Sequence, residues 1–452
     1  MTKDMTSGSP AKLIFGFAIP MFLGLLFQQF YSMMDTIIVG RCLGVNALAA
    51  VGSTGSVNFM IIGFCMGVCN GFAIPVAQRF GAKDQTGLRK FVANSVWLSI
   101  VFAVIMTIVT CILCRQIMTW MRTPADIFED ANTYIFIIFI GIPATYLYNL
   151  VSGIIRSLGD SRSPLFFLIV SSVLNIGLDF LFILTFHMGV AGAAWATVLS
   201  QLISAVLCTI VGVKNYPVMR QRLSSLFMKE WRSEAAAHLK IGFPMGFQMS
   251  VMCIGQLAMQ AAVNRIGTSA IAGYTAANKA DQLSVLVDNA VGIGIANYVA
   301  QNYGAGKMDR IKKGVWHCFL MLTAMNFAMG ALLLLGQSFV VPMFVTNPTA
   351  EIMQYSKDYL FTVVPFYFFL GALLVYRTAI QSVGNTWAPF AACVIELAAR
   401  ILCASVLSVP FGYRAVCFAT PFAWLTALSL LIPVYIVLIR KLDGGQSTKT
   451  KT

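Results

Sequence analysis

Charge is what this chain has least of. Only 11% of its 452 residues are Asp, Glu, Lys or Arg, against about a quarter in soluble domains, so a water-facing globule of this size is excluded. Acids are scarcer than bases, 17 against 31, for a net charge of +14. Such an excess can mark a nucleic-acid partner, but these bases sit between apolar runs and form no basic face, so no nucleic acid is expected. Histidine is rarer still. His187, His238 and His317 lie far apart, without metal-ligand spacing. The eleven cysteines are scattered mainly through apolar runs, where Cys behaves as a small hydrophobe. Cys111 and Cys114 have redox-motif spacing but close a hydrophobic run rather than opening a helix after a strand. No nucleophile, base or metal cluster stands out, so neither enzyme chemistry nor a cofactor is expected.

What remains is hydrophobic: 58% of residues, with mean hydropathy +0.79. The apolar runs exceed the roughly 20 residues that cross a bilayer as a helix and lack the alternation of a β-barrel. The expected fold is all-α and integral to the membrane. Polar breaks place twelve transmembrane helices near 13–40, 47–78, 90–114, 127–154, 164–186, 190–213, 238–264, 270–300, 313–338, 351–379, 388–411 and 414–439. The first is too long for a signal-peptide core and is read as a retained span. Assigning the loops alternately puts 23 of the 31 basic residues on one side. By the positive-inside rule both termini are cytoplasmic, in a multi-pass protein of the cell membrane.

The chain repeats itself. Ala77-Gln78-Arg79-Phe80-Gly81-Ala82 is matched by Ala300-Gln301-Asn302-Tyr303-Gly304-Ala305, and Ser157-Leu158-Gly159-Asp160 with Pro164 by Ser382-Val383-Gly384-Asn385 with Pro389; Tyr134 matches Tyr359 and Pro20 matches Pro244. Six helices per half is an even number, so both halves enter from the same side as parallel six-helix lobes, an architecture of transporters. The boundaries expected are a first lobe at 1–213, a cytoplasmic loop at 214–237, a second lobe at 238–440 and a tail at 441–452.

Ionisable residues within spans are costly and usually mark ion, proton or substrate paths. Asp35 and Asp179 lie in the first half with no intramembrane base beside them. At 1.5 Å per residue, Asp35, Asp179 and Thr197 share a depth of roughly 9 to 12 Å below the outer face. Asn175 and Asp179 are four apart on one face, and Gln28, Tyr31, Ser32 and Asp35 form one stripe. Carboxylate, amide and hydroxyl oxygens suit Na⁺ or a shared proton, and the residues alone leave both open. The second half mixes signs: Lys279, Asp281, Glu396 and Arg400 read as a charge network, with Glu396 and Arg400 spaced for an ion pair and Asp288 near a wet inner end. Gln28, Tyr31 and Met34, with Gln248 and Gln256 of the seventh helix, are candidates to line a substrate cavity.

The ordered set of Pro20, Gln28, Gln29 and Asp35, then Val39-Gly40-Arg41-Cys42-Leu43-Gly44 with Ala47-Leu48-Ala49-Ala50, Ala77–Ala82, Arg156–Asp160 and the Gln301–Gly306 motif resembles the multidrug and toxic compound extrusion (MATE) family. The resemblance spans nearly the whole chain. It implies a pair of six-helix lobes that exports amphipathic, often cationic organic compounds by antiport against Na⁺ or H⁺, in a protein taken as monomeric within the lipid bilayer. In the DNA-damage-inducible-type branch, the cation-coupling positions correspond to Asp35, Asn175, Asp179 and Thr197. The other branch uses acids of the seventh and tenth helices, and this chain departs from that pattern. A lipid or lipid-linked oligosaccharide flippase of the same superfamily is the alternative, and a non-transporting scaffold or receptor a second one.

Overall fold

The computed structural model describes residues 4–220, 231–344 and 348–449. Among these the chain is helical, without strands. The first six membrane-length elements are α1 (Pro10–Leu43), α2 (Val45–Gly81), α3 (Gln85–Trp120), α4 (Phe128–Ile140 with Ile142–Ser157), α5 (Arg162–Thr185) and α6 (Gly189–Asn215). The second six are α7 (Trp231–Asn264), α8 (Thr268–Gly304), α9 (Met308–Leu335), α10 (Ala350–Ser382), α11 (Trp387–Phe411) and α12 (Tyr413–Lys449). Helices are what hydrocarbon permits, because each satisfies its own backbone donors and acceptors. α4 is bent by 44° at Gly141, just ahead of Pro143. A proline lacks the amide hydrogen and crowds the preceding turn, and kinks collect there.

All twelve expected spans are present, most of them longer than hydropathy indicated. The connecting loop is correspondingly shorter than 214–237. α6 continues to Asn215 and α7 has begun by Trp231, while 221–230 lies outside the described residues. α12 likewise runs to Lys449, so the expected tail at 441–452 is helical that far, and 450–452 lies outside the described residues.

The helices group into two compact units that do not follow the two sequence halves. One holds Leu23–Ser250 and the other Met5–Phe22 with Val251–Thr452. The units divide in the middle of α1 and α7, and the starts of both helices are held by close packing at glycines. In the first unit the beginning of α7 lies directly on α2. A methyl group at Gly71 would come 2.5 Å from Gly242 Cα, and one at Gly67 2.5 Å from the Met245 carbonyl oxygen. In the second unit the beginning of α1 lies on α8, where a methyl at Gly294 would meet the Ile14 carbonyl oxygen at 3.0 Å. Gly71 and Gly294 are repeat partners, each six residues before the Ala77 or Ala300 motif. Small residues are what lets membrane helices approach this closely.

The Gln301 motif holds the chain ahead of α1 as well. Met5 N donates to Gln301 Oε1 (2.9 Å), Asn302 Nδ2 donates to the Met5 carbonyl (3.1 Å) and Lys307 Nζ to that of Thr6 (2.8 Å). Each unit has its own apolar core, built around residues such as Phe72, Phe139 and Tyr146 in the first and Tyr359, Tyr367 and Leu431 in the second. Large apolar side chains also face outward, Ile112 and Leu335 among them, as surfaces solvated by lipid tails do.

The turns leading into α5 and α11 show the repeat in detail. Gly159 and Gly384 adopt φ values of 86° and 102°, a left-handed backbone suited to glycine. Each is followed by a capping side chain. Asp160 accepts from Arg162 N (2.8 Å), Ser163 N (3.1 Å), Ser163 Oγ (2.6 Å) and Tyr216 Oη (2.5 Å). Burial pushes this carboxyl up, but the hydrogen bonds from Ser163, Tyr216 and the backbone outweigh it and hold the group below the usual range. Its partner Asn385 accepts from Ala388 N at 3.3 Å.

Candidate functional site

In the first unit α5 presents Asn175 and Asp179 one turn apart, both buried, with 1% and 0% exposure. α6 packs alongside and supplies Thr197, whose Oγ1 accepts from Asn175 Nδ2 (3.3 Å) and donates to the Ala193 carbonyl (3.1 Å). α1 brings Asp35, whose carboxyl is close enough to that of Asp179 for the two to interact. All four residues expected at the cation site are therefore gathered around one point.

Oxygen without donors sets this cluster apart. Asp35 Oδ1, Asn175 Oδ1 and both carboxyl oxygens of Asp179 are shielded from solvent and receive no N–H or O–H. Buried acceptors normally have partners, and a lone unsatisfied one costs about 1 to 3 kcal/mol. Two facing carboxyls and an amide oxygen have a simple remedy: a proton or a hard cation between them. The residues fit either ion. Immediately beyond Asp179 the helix widens into a π-turn at Leu181–Thr185, a distortion frequent at functional sites.

Two tyrosines flank the acids. Tyr31 pairs with the Gln201 side chain and lies near Asp35, and Tyr134 of α4 is close enough to feel both acids and Tyr31. Gln201 Oε1 also accepts from Thr145 Oγ1 (2.8 Å). Sequence reasoning noted Tyr134 only as a repeat landmark. The usable signal was its partner Tyr359, which likewise stands beside a buried acid.

The substrate candidates separate. Gln28, Tyr31 and Met34 are partly exposed on the portion of α1 that carries Asp35, and Gln248 is buried at 7% exposure in the same unit. Gln256 is exposed and lies on the portion of α7 assigned to the second unit.

The second unit corrects the expected charge network in three places. Lys279 is exposed and faces away from Asp281, because residues two apart on a helix do not share a face. Asp281 is satisfied by tyrosines instead, accepting from Tyr359 Oη (3.3 Å) and from Tyr367 Oη. Arg377, counted from sequence among the loop bases, is buried in α10 and forms the close ion pair with Glu396; Arg400 approaches the other Glu396 oxygen at 4.0 Å. Asp288, expected to be wet, is 1% exposed and accepts from Asn326 Nδ2 at 3.5 Å. The network is real in Glu396, Arg400 and Arg377, and separate from Lys279. Among the described residues no group of three or more His, Cys, Asp or Glu is placed to hold a metal ion.

A family model described as MatE matches residues 20–181 and 244–413. The chain is 29% identical over 383 residues to "Probable multidrug resistance protein YpnP" of Bacillus subtilis (strain 168), covering 84% of each chain. It is 20% identical over 456 residues to the FAD transporter of Shewanella oneidensis, covering 99% of this chain and 98% of that one. A crystal structure of MATE in complex with MaL6 shares the fold at TM-score 0.89 and 23% identity, over 98% of this chain and 100% of that one.

Proposed function

Because the chain belongs to the MatE family of multidrug efflux transporters and is not an enzyme, we propose that it is a cation-coupled antiporter in which Asp35, Asn175, Asp179 and Thr197 carry the coupling ion. One observation carries this reading: four buried oxygens of these residues, from two adjacent carboxyls and an amide, that receive no donor. Two carboxyls this close cannot both be ionised in an apolar setting without a counter-cation. Na⁺ or H⁺ loading lets α1 and α5 stay together, whereas unloading sets like charges against each other. The ion thereby biases a conformational equilibrium, and by linkage the conformation that releases substrate is the one that takes the ion. The exported compounds are amphipathic organic molecules, many of them cationic. In this reading both termini are cytoplasmic in a cell-membrane protein, which the distribution of bases supports.

The test is efflux of a panel of organic cations from proteoliposomes with Na⁺ and pH gradients imposed separately. Transport driven by one gradient identifies the ion, and Asp35→Asn and Asp179→Asn each abolish the gradient-driven component. Full gradient-driven efflux by the Asp179→Asn protein would overturn the assignment.

A further inference from the structure

Counting from the prolines near the start of the two repeat-related helices, Asn175 of α5 and Arg400 of α11 each lie eleven residues beyond Pro164 and Pro389. Counting from Pro20 and Pro244 likewise, Tyr31 of α1 corresponds to Gly255 of α7. The second unit uses these positions together. The Arg400 guanidinium lies over Gly255, where a Cβ would stand 3.3 Å from both its Cδ and Nη1. As in α5, the helix then widens into a π-turn, at Leu402–Leu407.

The chemistry is inverted relative to the first unit. There, oxygens lack donors; here, donors lack acceptors. Arg377 and Arg400 face a single carboxylate, Glu396, with side-chain exposures of 11%, 12% and 5%. Arg377 takes the close contact, and Arg400 stands off at 4.0 Å. Nε of both arginines is shielded from solvent without a partner. Among the described residues Arg400 donates no hydrogen bond; its electrostatic neighbours are Tyr274, Cys393 and Tyr359, and the Tyr359 hydroxyl is shared with Asp281. Guanidinium groups stay charged, so Arg377 and Arg400 together outnumber Glu396 by one charge, and Arg400 keeps a planar fork of unused N–H donors, the geometry that recognises carboxylate and phosphate.

We propose that Arg400, with Arg377 and with Gly255 making room for the Arg400 side chain, is an oxyanion site for the carboxylate or phosphate of a transported amphiphile. This rests on the transport reading above and deepens it by naming the side chains that take a substrate's acidic group. Glu396 competes with the ligand for the same guanidinium groups and so limits its affinity.

The experiment is equilibrium binding to the full-length protein in phosphatidylcholine nanodiscs, with no gradient present. The probes are a zwitterionic fluorescent dye with a free carboxylate and its methyl ester, which differ only in the anion. Arg400→Gln weakens binding of the acid at least about tenfold, the scale of losing a charge-assisted hydrogen bond, and changes the ester less than about twofold. Gly255→Ala, whose methyl would crowd Arg400 Cδ and Nη1 at 3.3 Å and so shift the guanidinium without altering charge, weakens the acid selectively. Glu396→Gln does the reverse and tightens the acid. Equal effects of Arg400→Gln on acid and ester, or none on either, would overturn the proposal, as would weaker acid binding in Glu396→Gln. Displacement of the dye on adding phosphatidylglycerol would overturn the solute assignment in favour of a lipid phosphate. Selective acid binding without gradient-driven efflux of any probe would instead sink the antiport reading alone.

Discussion

In the first unit, Asp179 stands among oxygens with no donor, and a tyrosine of α1 lies near its partner Asp35; in the second, the corresponding helix carries Arg400 over a glycine of α7. The backbone devices around these sites are shared. Both halves have the close-packing glycine at Gly71 or Gly294, the left-handed glycine at Gly159 or Gly384, and a π-turn late in the helix. Duplication has thus kept what positions helices and released the polar side chains that they carry. A scaffold can hold two sites of opposite sign because sign lives on a few side chains, while depth and spacing belong to the backbone.

The comparison can be pressed with substitutions in matched positions. The largest effect on stability is expected at the ion cluster of the second unit. Arg377→Gln removes the close partner of a buried carboxylate, and breaking such pairs costs about 3 to 5 kcal/mol. Arg400→Gln, at 4.0 Å from the same carboxylate, costs distinctly less. Thermal unfolding in detergent checks this order, and equal losses would show the two arginines to be equivalent. Next come the glycines. A methyl at Gly71 would meet backbone at 2.5 Å and one at Gly294 at 3.0 Å. Gly71→Ala should therefore destabilise more, within the about 1 to 3 kcal/mol of overpacked interiors, as read from the melting temperatures of the two variants.

The smallest effect separates the two capping turns. Asp160→Ala removes four hydrogen bonds and should cost about 1 to 2 kcal/mol, whereas Asn385→Ala removes one at 3.3 Å and should cost a few tenths, the span seen for helix caps. The Asp160 carboxyl is depressed in the folded protein, so its stabilisation is complete above the unfolded value of about 3.9 and is lost as pH falls through the lower folded value. The melting difference between the native protein and Asp160→Asn should then be flat from about pH 8 to pH 5 and shrink only in stronger acid. A difference that shrank already near neutrality would mean that the carboxyl is not depressed.

The spans were legible because hydrocarbon imposes a length rule on any chain that crosses it, and the first-unit cluster because Asp35, Asn175, Asp179 and Thr197 obey helical spacing at a common depth. Spacing was also the guide to what failed. Lys279 and Asp281 are near in sequence yet occupy different faces, and Arg377 looked like a loop base because it falls within a turn or two of its helix end. Tyr367 was silent for another reason: an aromatic in an apolar run carries no sequence sign that its hydroxyl meets Asp281. Hydropathy records that a helix is apolar and says nothing of which neighbour it packs on, so the division of α1 and α7 between the units could not be read from it.

That division has a consequence for how the molecule is made. The residues ahead of and within the start of α1 are synthesised well before their partners Gln301, Asn302 and Gly294, at a sequence separation of 296 residues between Met5 and Gln301. Contacts so distant along the chain form late and slowly. The second unit therefore cannot close until well over half the polypeptide has been synthesised, and a ribosome stalled within α7 leaves both units unfinished at once. Each half of the sequence lacks a segment that its own unit draws from the other half.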